Sequence, residues 1–87
     1  KIGILGLAFK SDIDDTRNSL SIDLFKLLKK RRLKVLVSDE FVKMNEIIDK
    51  KKLISKSDII ILGAPHSNYK SLKIPKKKYL IDCWGFF

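Results

Sequence analysis

Residues 6–19 read GLAFKSDIDDTRNS and hold most of what the chain reveals about its fold and function. They follow a short apolar run, Ile2–Leu5, and precede an amphipathic segment that starts near Ser19. A strand, a polar loop and a helix in this order place the loop at the carboxyl edge of a sheet, where open α/β folds bind their ligands. A connection of about twelve residues is long for this position, and long loops in compact domains are usually functional or disordered. We interpret residues 6–19 as a functional loop.

Length and composition predict one small globular domain. The chain has 87 residues, of which 45% are hydrophobic and 33% charged, and a domain of this size buries about 60–65% of its unfolded surface. Its longest apolar run, 59–62, is too short to cross a membrane. The first residue is not methionine and no leader precedes the first strand. We therefore expect residues 1–87 to be one domain of a longer protein.

Cys83 is the single cysteine and His66 the single histidine, which limits the available chemistry. One cysteine excludes an internal disulfide and favours a reducing cytoplasm, and we expect its side chain to be buried as a small hydrophobe. One histidine and one cysteine do not make a metal-ligand set, so no metal site is expected.

Apolar runs and helical periodicity alternate along the chain. Strands are predicted at residues 2–5, 35–37, 59–62 and 79–82. A helix is predicted over 20–33 with Asn18 or Ser19 as its N-cap, a second over 42–49, and a short helical turn over 67–72. Strands that are apolar throughout and alternate with helices are typical of a parallel sheet covered on both faces. The prediction is a Rossmann-like α/β domain with strand order 2-1-3-4 and helices on both faces.

The net charge of +9 raises the question of a polyanion partner. Lysine clusters at 26–34, 50–56 and 70–78 each precede a predicted strand, so we expect them near the amino ends of the strands. At the carboxyl edge the expected cations are Lys10 and Arg17. This distribution favours a solvated lysine-rich rim, and the alternative is a basic α/β module that binds nucleic acid or another polyanion through that rim.

The first loop departs from the dinucleotide-binding fingerprint. A Gly-x-Gly-x-x-Gly turn lets the backbone approach a pyrophosphate, but counting from Gly6 the later glycines are replaced by Ala8 and Ser11, whose side chains would stand where a dinucleotide lies. We therefore expect that this domain does not cradle its own NAD in the usual way. Lys10 and Arg17 could instead bind a phosphate, or could only pair with Asp12, Asp14 and Asp15 of the same loop, and spacing leaves both open.

The same loop carries a family signature. Residues 6–10, Gly-Leu-Ala-Phe-Lys, and 14–19, Asp-Asp-Thr-Arg-Asn-Ser, resemble the Gly-x-Ala-Phe-Lys and Asp-x-Arg-x-Ser motifs of the UDP-glucose/GDP-mannose dehydrogenases. The match is to the C-terminal, UDP-binding domain of that family. A weaker resemblance continues through residues 37–39 and 57–66 and ends at 81–82.

This resemblance implies a nucleotide-sugar 6-dehydrogenase. Such enzymes have an N-terminal NAD-binding lobe, a long central helix and a C-terminal domain that closes over the nucleotide sugar. They oxidise the sugar C6 alcohol to a carboxylate in two NAD-dependent steps, through a cysteine thiohemiacetal and thioester. By this resemblance the substrate is a UDP-hexose, Phe9 and Lys10 contact it, and Arg17 reaches the NAD across the cleft.

The resemblance also bears on what lies outside this chain. The family's nucleophilic cysteine belongs to the rest of the enzyme, and Cys83 does not match its motif, so residues 1–87 alone are expected to be inactive. The intact protein is expected to be a cytoplasmic homodimer, with no membrane or nucleic-acid partner.

Two features leave questions open. Family members often carry an arginine shortly after the aspartate of the last strand, whereas here Asp82 is followed by Cys83-Trp84-Gly85. Trp84 could stack on a ligand or fill space instead. His66 lies at the predicted switch point, where it could touch a ligand or a partner lobe, or cap the helical turn that starts at Ser67.

Overall fold

The computed structural model describes residues 1–17 and 19–87, and in it four strands form one parallel sheet. The strands are β1 (Ile2–Leu5), β2 (Val35–Ser38), β3 (Ile59–Leu62) and β4 (Tyr79–Ile81). The helices are α1 (Leu20–Lys30), α2 (Lys50–Lys56) and a 3₁₀ helix (Ser67–Ser71). The order β2-β1-β3-β4, with every pairing parallel, confirms the predicted topology. None of the helices described is long and apolar enough to cross a membrane.

Helix α1 begins after one of the two residues predicted to cap it. Ser19 has an extended backbone, and its Oγ accepts a hydrogen bond from the Ile22 N–H while donating one of 2.7 Å to the carbonyl of Leu7. This arrangement is typical of a helix N-cap, and here it also fastens the helix to the end of β1. Asn18, the other predicted cap, lies outside the described residues. The helix ends at Lys30 rather than at residue 33.

The second helix lies further along the chain than predicted. Residues 42–49 form turns and a single bridge in which Ile47 pairs with Val37 of β2, and α2 begins only at Lys50. Asp49 caps it by accepting hydrogen bonds of 3.0 and 3.3 Å from two following backbone N–H groups. The prediction was wrong because the apolar residues of 42–49 pack against the sheet from an irregular connection, which their spacing alone did not distinguish from a helix.

Alternation along the strands divides the apolar residues between two cores. On one face α1 covers Ile4 and Val37 through Phe25, and on the other α2 covers Leu5 and Ile60 through its own apolar residues. The second core also includes Tyr69 of the 3₁₀ helix, which is fully buried. Helices therefore cover both faces, as predicted, and the carboxyl edge between them is left for loops.

The carboxyl ends of β1 and β3 approach so closely that side chains are excluded. A Cβ on Gly63 would lie 2.2 Å from the carbonyl oxygen of Gly6 and 2.5 Å from Ser21 Oγ. Gly6 has a φ of +92°, which favours glycine. Because Ser21 Oγ donates a hydrogen bond of 2.9 Å to the Gly63 carbonyl, the start of α1 is bound to the end of β3.

The lysine clusters are only partly where they were expected. Lys50 pairs with Glu40, which follows β2, and Lys70 donates to the carbonyl of Phe86, which follows β4. Both therefore lie at the carboxyl edge, because α2 and the 3₁₀ helix begin there. Lys78 agrees with the prediction, since its ammonium donates to two carbonyls near the end of α2, before β3.

Substitution of Gly63 by alanine tests the close approach. We expect Gly63→Ala to lower the free energy of unfolding by about 3 kcal/mol, because the new methyl group overlaps the carbonyl oxygen of Gly6 and the hydrogen-bonded side chain of Ser21. Urea unfolding followed by circular dichroism measures the loss. Gly85→Ala is the control, because its Cβ meets nothing within 4 Å and only its φ of +64° opposes it, at about 1 kcal/mol. Equal losses in the two variants would contradict the packing argument.

Candidate functional site

The loops that follow β1, β2 and β3 leave the sheet side by side. Leu5, the last residue of β1, pairs in register with Ser38 of β2 and Leu62 of β3. The loop 6–19 therefore has the start of the loop 39–49 on one side and residues 63–66 on the other. This is the edge at which the sequence predicted a ligand site.

The Asp39 carboxylate lies beneath these loops and holds them together. One oxygen, Oδ2, accepts hydrogen bonds from the N–H groups of Leu7 at 2.7 Å and Ala8 at 3.2 Å. The other, Oδ1, accepts from Phe41 at 2.7 Å and Val42 at 3.1 Å. Since Asp39 is only 3% exposed, these amides and one imidazole replace the water that a carboxylate otherwise requires.

The surroundings of Asp39 favour its charged form. Burial by itself would raise the pKa of this carboxyl, but the hydrogen bonds from His66 and from the amides of Leu7 and Phe41 outweigh that effect, and its pKa lies below the usual value. Tyr69 shows the opposite balance, since burial, with the Asp39 charge adding to it, raises the pKa of its phenol. At neutral pH the site is thus built around a buried anion.

His66 is fully buried, and both of its ring nitrogens have partners. Nε2 lies 2.8 Å from Asp39 Oδ2, and Nδ1 accepts a hydrogen bond of 2.7 Å from the Asp12 N–H. Because a backbone N–H can only donate, Nδ1 is the acceptor and the ring proton is assigned to Nε2. The rings of Phe41 and Tyr69 pack on the imidazole with centroids at 4.6 and 5.4 Å.

This placement bears on both predictions for His66. As one alternative predicted, His66 occupies the N-cap position of the 3₁₀ helix, but its side chain makes no capping hydrogen bond. Instead Asp12 Oδ1 accepts hydrogen bonds from the N–H and Oγ of Ser67, at 2.7 and 3.0 Å. Contact of His66 with a ligand remains a prediction, and the ring as placed offers it neither an exposed edge nor a nitrogen without a partner.

The loop 9–15 is closed on itself and tied at its tip. The Phe9 N–H donates a 2.6 Å hydrogen bond to the carbonyl of Asp15, and Asp12 at the tip is bound to His66 and Ser67. Lys10 lies between these two attachments. Its backbone is therefore restrained on both sides, although its side chain is exposed.

Lys10 and Arg17, for which the sequence left both phosphate binding and pairing within the loop open, have different surroundings in the structure. Arg17 pairs with Asp15, through Nη2 to Oδ2 at 3.0 Å and Nε to Oδ1 at 3.1 Å. Hydrogen bonds from this guanidinium lower the pKa of Asp15. Lys10, by contrast, has no carboxylate within 4.0 Å among residues 1–17 and 19–87, and its ammonium lies 5.8 Å from the centroid of the Phe9 ring.

Phe9 and Trp84 line one shallow groove of about 300 Å³ together with Leu20. These side chains are 44%, 51% and 81% exposed, respectively, which is unusual for three large apolar residues side by side. Trp84 is held by a turn in which the Asp82 carboxylate accepts hydrogen bonds from the N–H groups of Trp84 and Phe87. Trp84 thus lies next to one of the predicted substrate-binding residues.

Two expectations about small side chains were wrong. Cys83 is exposed rather than buried, because β4 ends at Ile81 and the residues after it turn away over the surface. Ala8 is 2% exposed and packs into the core on the α1 face, so its methyl group does not stand over the edge. One difference between this edge and a dinucleotide turn is the length of the loop, since α1 begins only at Leu20.

The residue that sequence reasoning missed is Asp39. From the sequence it enters only through the weaker resemblance over residues 37–39, yet its carboxylate binds backbone N–H groups of two loops and the imidazole of His66. One signal was present, because an aspartate directly after a buried strand often binds the N–H groups of the residues that follow it. Its longer-range partners, Leu7 and His66, could not be read from spacing.

Comparison with known proteins agrees with this geometry. Residues 3–87 match the model of the UDP-glucose/GDP-mannose dehydrogenase family, UDP binding domain. Protein CapL of Staphylococcus aureus is 31% identical over 90 residues, which cover 94% of this chain and 21% of that protein. UDP-N-acetyl-D-mannosamine dehydrogenase of Pyrococcus horikoshii is 29% identical over 88 residues, which cover 93% of this chain and 21% of that protein.

A solved structure gives the same result. The chain superposes along its whole length on GDP-mannose dehydrogenase from Pseudomonas aeruginosa, solved as a ternary complex, with a TM-score of 0.87 and 26% identity. It covers 25% of that structure. The chain therefore spans about a fifth to a quarter of the length of these relatives.

Replacement of Asp39 by asparagine tests the buried anion. At pH 7 we expect Asp39→Asn to lower the free energy of unfolding by about 3 kcal/mol, because an amide NH₂ would face donors and leave them without acceptors. The pKa of Asp39 is lowered by folding. Its contribution is therefore complete above the usual carboxyl pKa of 3.8 and is lost as the pH falls through the folded value.

Urea unfolding of wild type and variant between pH 7 and pH 2 measures this difference. The exposed Asp14→Asn is the control and should match wild type throughout. A gap between Asp39→Asn and wild type that stays constant down to pH 2 would contradict the assignment.

Proposed function

Because the chain belongs to the UDP-glucose/GDP-mannose dehydrogenase family as its UDP-binding domain, as residues 6–19 predicted, we propose that it binds the nucleotide sugar in a longer, NAD-dependent 6-dehydrogenase. The reaction is oxidation of the C6 alcohol of a UDP-hexose to the uronate. One observation carries the proposal. The Lys10 ammonium is exposed at the carboxyl edge, on a restrained backbone, and within the described part of the chain no carboxylate neutralises it.

A nucleotide sugar matches the surfaces presented there. Its diphosphate is a compact anion, and an exposed ammonium on a restrained backbone is suited to bind it as a point charge. Its base and sugar offer flat or apolar faces, and Phe9 and Trp84 expose aromatic rings along one groove. In this proposal Lys10 binds the diphosphate, while Phe9 contacts the body of the ligand.

The cofactor is assigned mainly to another part of the protein. The first turn lacks the glycine pattern, and the backbone N–H groups of Leu7 and Ala8, which directly follow β1, are already bound to Asp39. Residues 1–87 do not fit a complete NAD site. Arg17 would add one contact from this side, since its pair with the accessible Asp15 is the kind of surface ion pair worth only about 0–1 kcal/mol and so is readily exchanged for a phosphate.

The remaining parts of the proposal concern the intact protein. An N-terminal lobe of the same chain would hold NAD and the nucleophilic cysteine, so residues 1–87 alone would show no turnover. The intact protein would act as a homodimer in the cytoplasm, with its domains closing over the ligand. Family membership favours this function over a basic module that binds polyanions.

Lys10→Ala in the full-length protein tests the substrate assignment. We expect the dissociation constant for UDP-glucose to rise about 10- to 100-fold, because a hydrogen bond to a charged group is lost. Isothermal titration of the purified protein measures it. Lys26→Ala, which removes an exposed lysine of α1, is the matched control and should bind like wild type. An unchanged dissociation constant in Lys10→Ala would refute the role of this ammonium.

Arg17→Ala tests the cofactor assignment separately. The KM for NAD is expected to rise about tenfold, while the KM for UDP-glucose changes less than twofold, because the guanidinium would contact only the cofactor phosphates. Steady-state kinetics with each ligand varied in turn distinguish the two effects. A larger effect on UDP-glucose than on NAD would mean that Arg17 belongs to the substrate site.

A further inference from the structure

We propose that His66 is a positioning residue for nucleotide-sugar recognition, because its buried ring fixes the loop that presents Phe9 and Lys10. This inference rests on the proposed function of Lys10 and adds to it a residue that does not touch the ligand. The Asp39 carboxylate fixes the ring, the ring fixes the Asp12 amide, and the Asp12 amide fixes the loop tip.

The first step is the rigidity of the ring. His66 has no exposed surface, Phe41 and Tyr69 pack against it, and Nε2 is bound to Asp39 at 2.8 Å. Asp39 itself is bound by four backbone N–H groups of two loops. The ring therefore cannot turn without disturbing the packed edge of the sheet.

The second step is the grip on the loop tip. Nδ1 accepts a 2.7 Å hydrogen bond from the Asp12 N–H, and Asp12 Oδ1 accepts two hydrogen bonds from Ser67, the residue after His66. Asp12 has a φ of +59°, a left-handed conformation that costs an ordinary residue about 1 kcal/mol and is tolerated best by Asn and Asp. This clamp of donor and acceptor maintains that conformation.

The third step joins the clamp to the ligand-binding side chains. Phe9 is fixed from behind by its hydrogen bond to Asp15, and Asp12 is fixed in front by His66. The backbone of Lys10 lies between these two attachments, and its position depends on both. A displacement of about 1 Å in an active-site group can cost about 100-fold in rate, so we expect release of Asp12 to disturb the position of Lys10.

The alternative is that His66 only stabilises the core. In that case its loss would lower stability but would not act through Lys10. A double-mutant cycle separates the two, because residues that act through one another show non-additive effects.

The experiment uses the full-length protein with UDP-glucose as the probe and isothermal titration as the measurement. We expect Asp12→Ala to weaken binding about tenfold in wild type but less than twofold in a Lys10→Ala background. Asp12→Asn, which keeps an acceptor oxygen and tolerates a positive φ, should restore most of the affinity. The control Asp14→Ala removes the same charge from the same loop and should change binding less than twofold.

Two substitutions of His66 separate its hydrogen bonds. His66→Asn can place an oxygen where Nδ1 lies and still accept from Asp12, whereas His66→Gln can reach Asp39 but leaves the Asp12 N–H without an acceptor. We expect His66→Gln to bind UDP-glucose more weakly than His66→Asn. Thermal unfolding identifies a variant that fails to fold, and the Asp12 pair then tests the same clamp through its other two hydrogen bonds, those from Ser67 to Asp12 Oδ1.

The outcomes separate the two proposals. A wild-type protein that binds neither UDP-glucose nor GDP-mannose would overturn the proposed function, and the role of His66 with it. If wild type binds, an unchanged Asp12→Ala variant together with equal affinities of His66→Gln and His66→Asn would overturn the positioning role alone. Equal losses from Asp12→Ala in the presence and absence of Lys10 would do the same, because the loop tip would then act independently of that ammonium.

Discussion

Asp39 is a buried carboxylate, and the carboxyl edge of the sheet is arranged around the need to surround it with donors. Its five hydrogen bonds come from the loops after β1, β2 and β3. A buried charge that loses its partners costs several kcal/mol. If any one of the three loops moved away from Asp39, the buried carboxylate would lose hydrogen bonds and the other two loops would be destabilised as well. The conformations of three segments that are distant in sequence are thereby coupled through a single side chain.

This interior network explains how a small domain can present exposed cations on a restrained backbone. Side chains that bind ligands have to stay accessible, and an accessible loop is usually mobile. Here hydrogen bonds to backbone amides, one of them made by His66, fix the backbone of the loop that carries Lys10. The Lys10 side chain pairs with no carboxylate in the described structure. Less ordering is then needed on binding, which is the general advantage of preorganisation.

The sequence predicted what depends on local pattern. Apolar runs located the strands, the order followed from parallel connections, and Ser19 was recognised as a cap because capping is a local interaction. Residues 42–49 were misassigned because an irregular segment that packs on a sheet can show helical spacing by chance. The pair of Asp39 and His66 could not be predicted, since it joins residues that meet only after the strands align. The different surroundings of Lys10 and Arg17 depend on the path of the loop, which spacing does not give.

The same constraint explains how this edge differs from a glycine-rich dinucleotide turn. Such a turn brings the backbone itself close to a phosphate, and glycines are required because side chains would intervene. Here the corresponding amides, those of Leu7 and Ala8, are already bound to the protein's own carboxylate and are not offered to a ligand. Because these backbone donors are occupied, an anion at this edge has to be bound by side chains that lie further along the loop. A long loop that carries Lys10 meets that requirement, because hydrogen bonds on both sides of the lysine, between Phe9 and Asp15 and between Asp12 and His66, restrain its backbone.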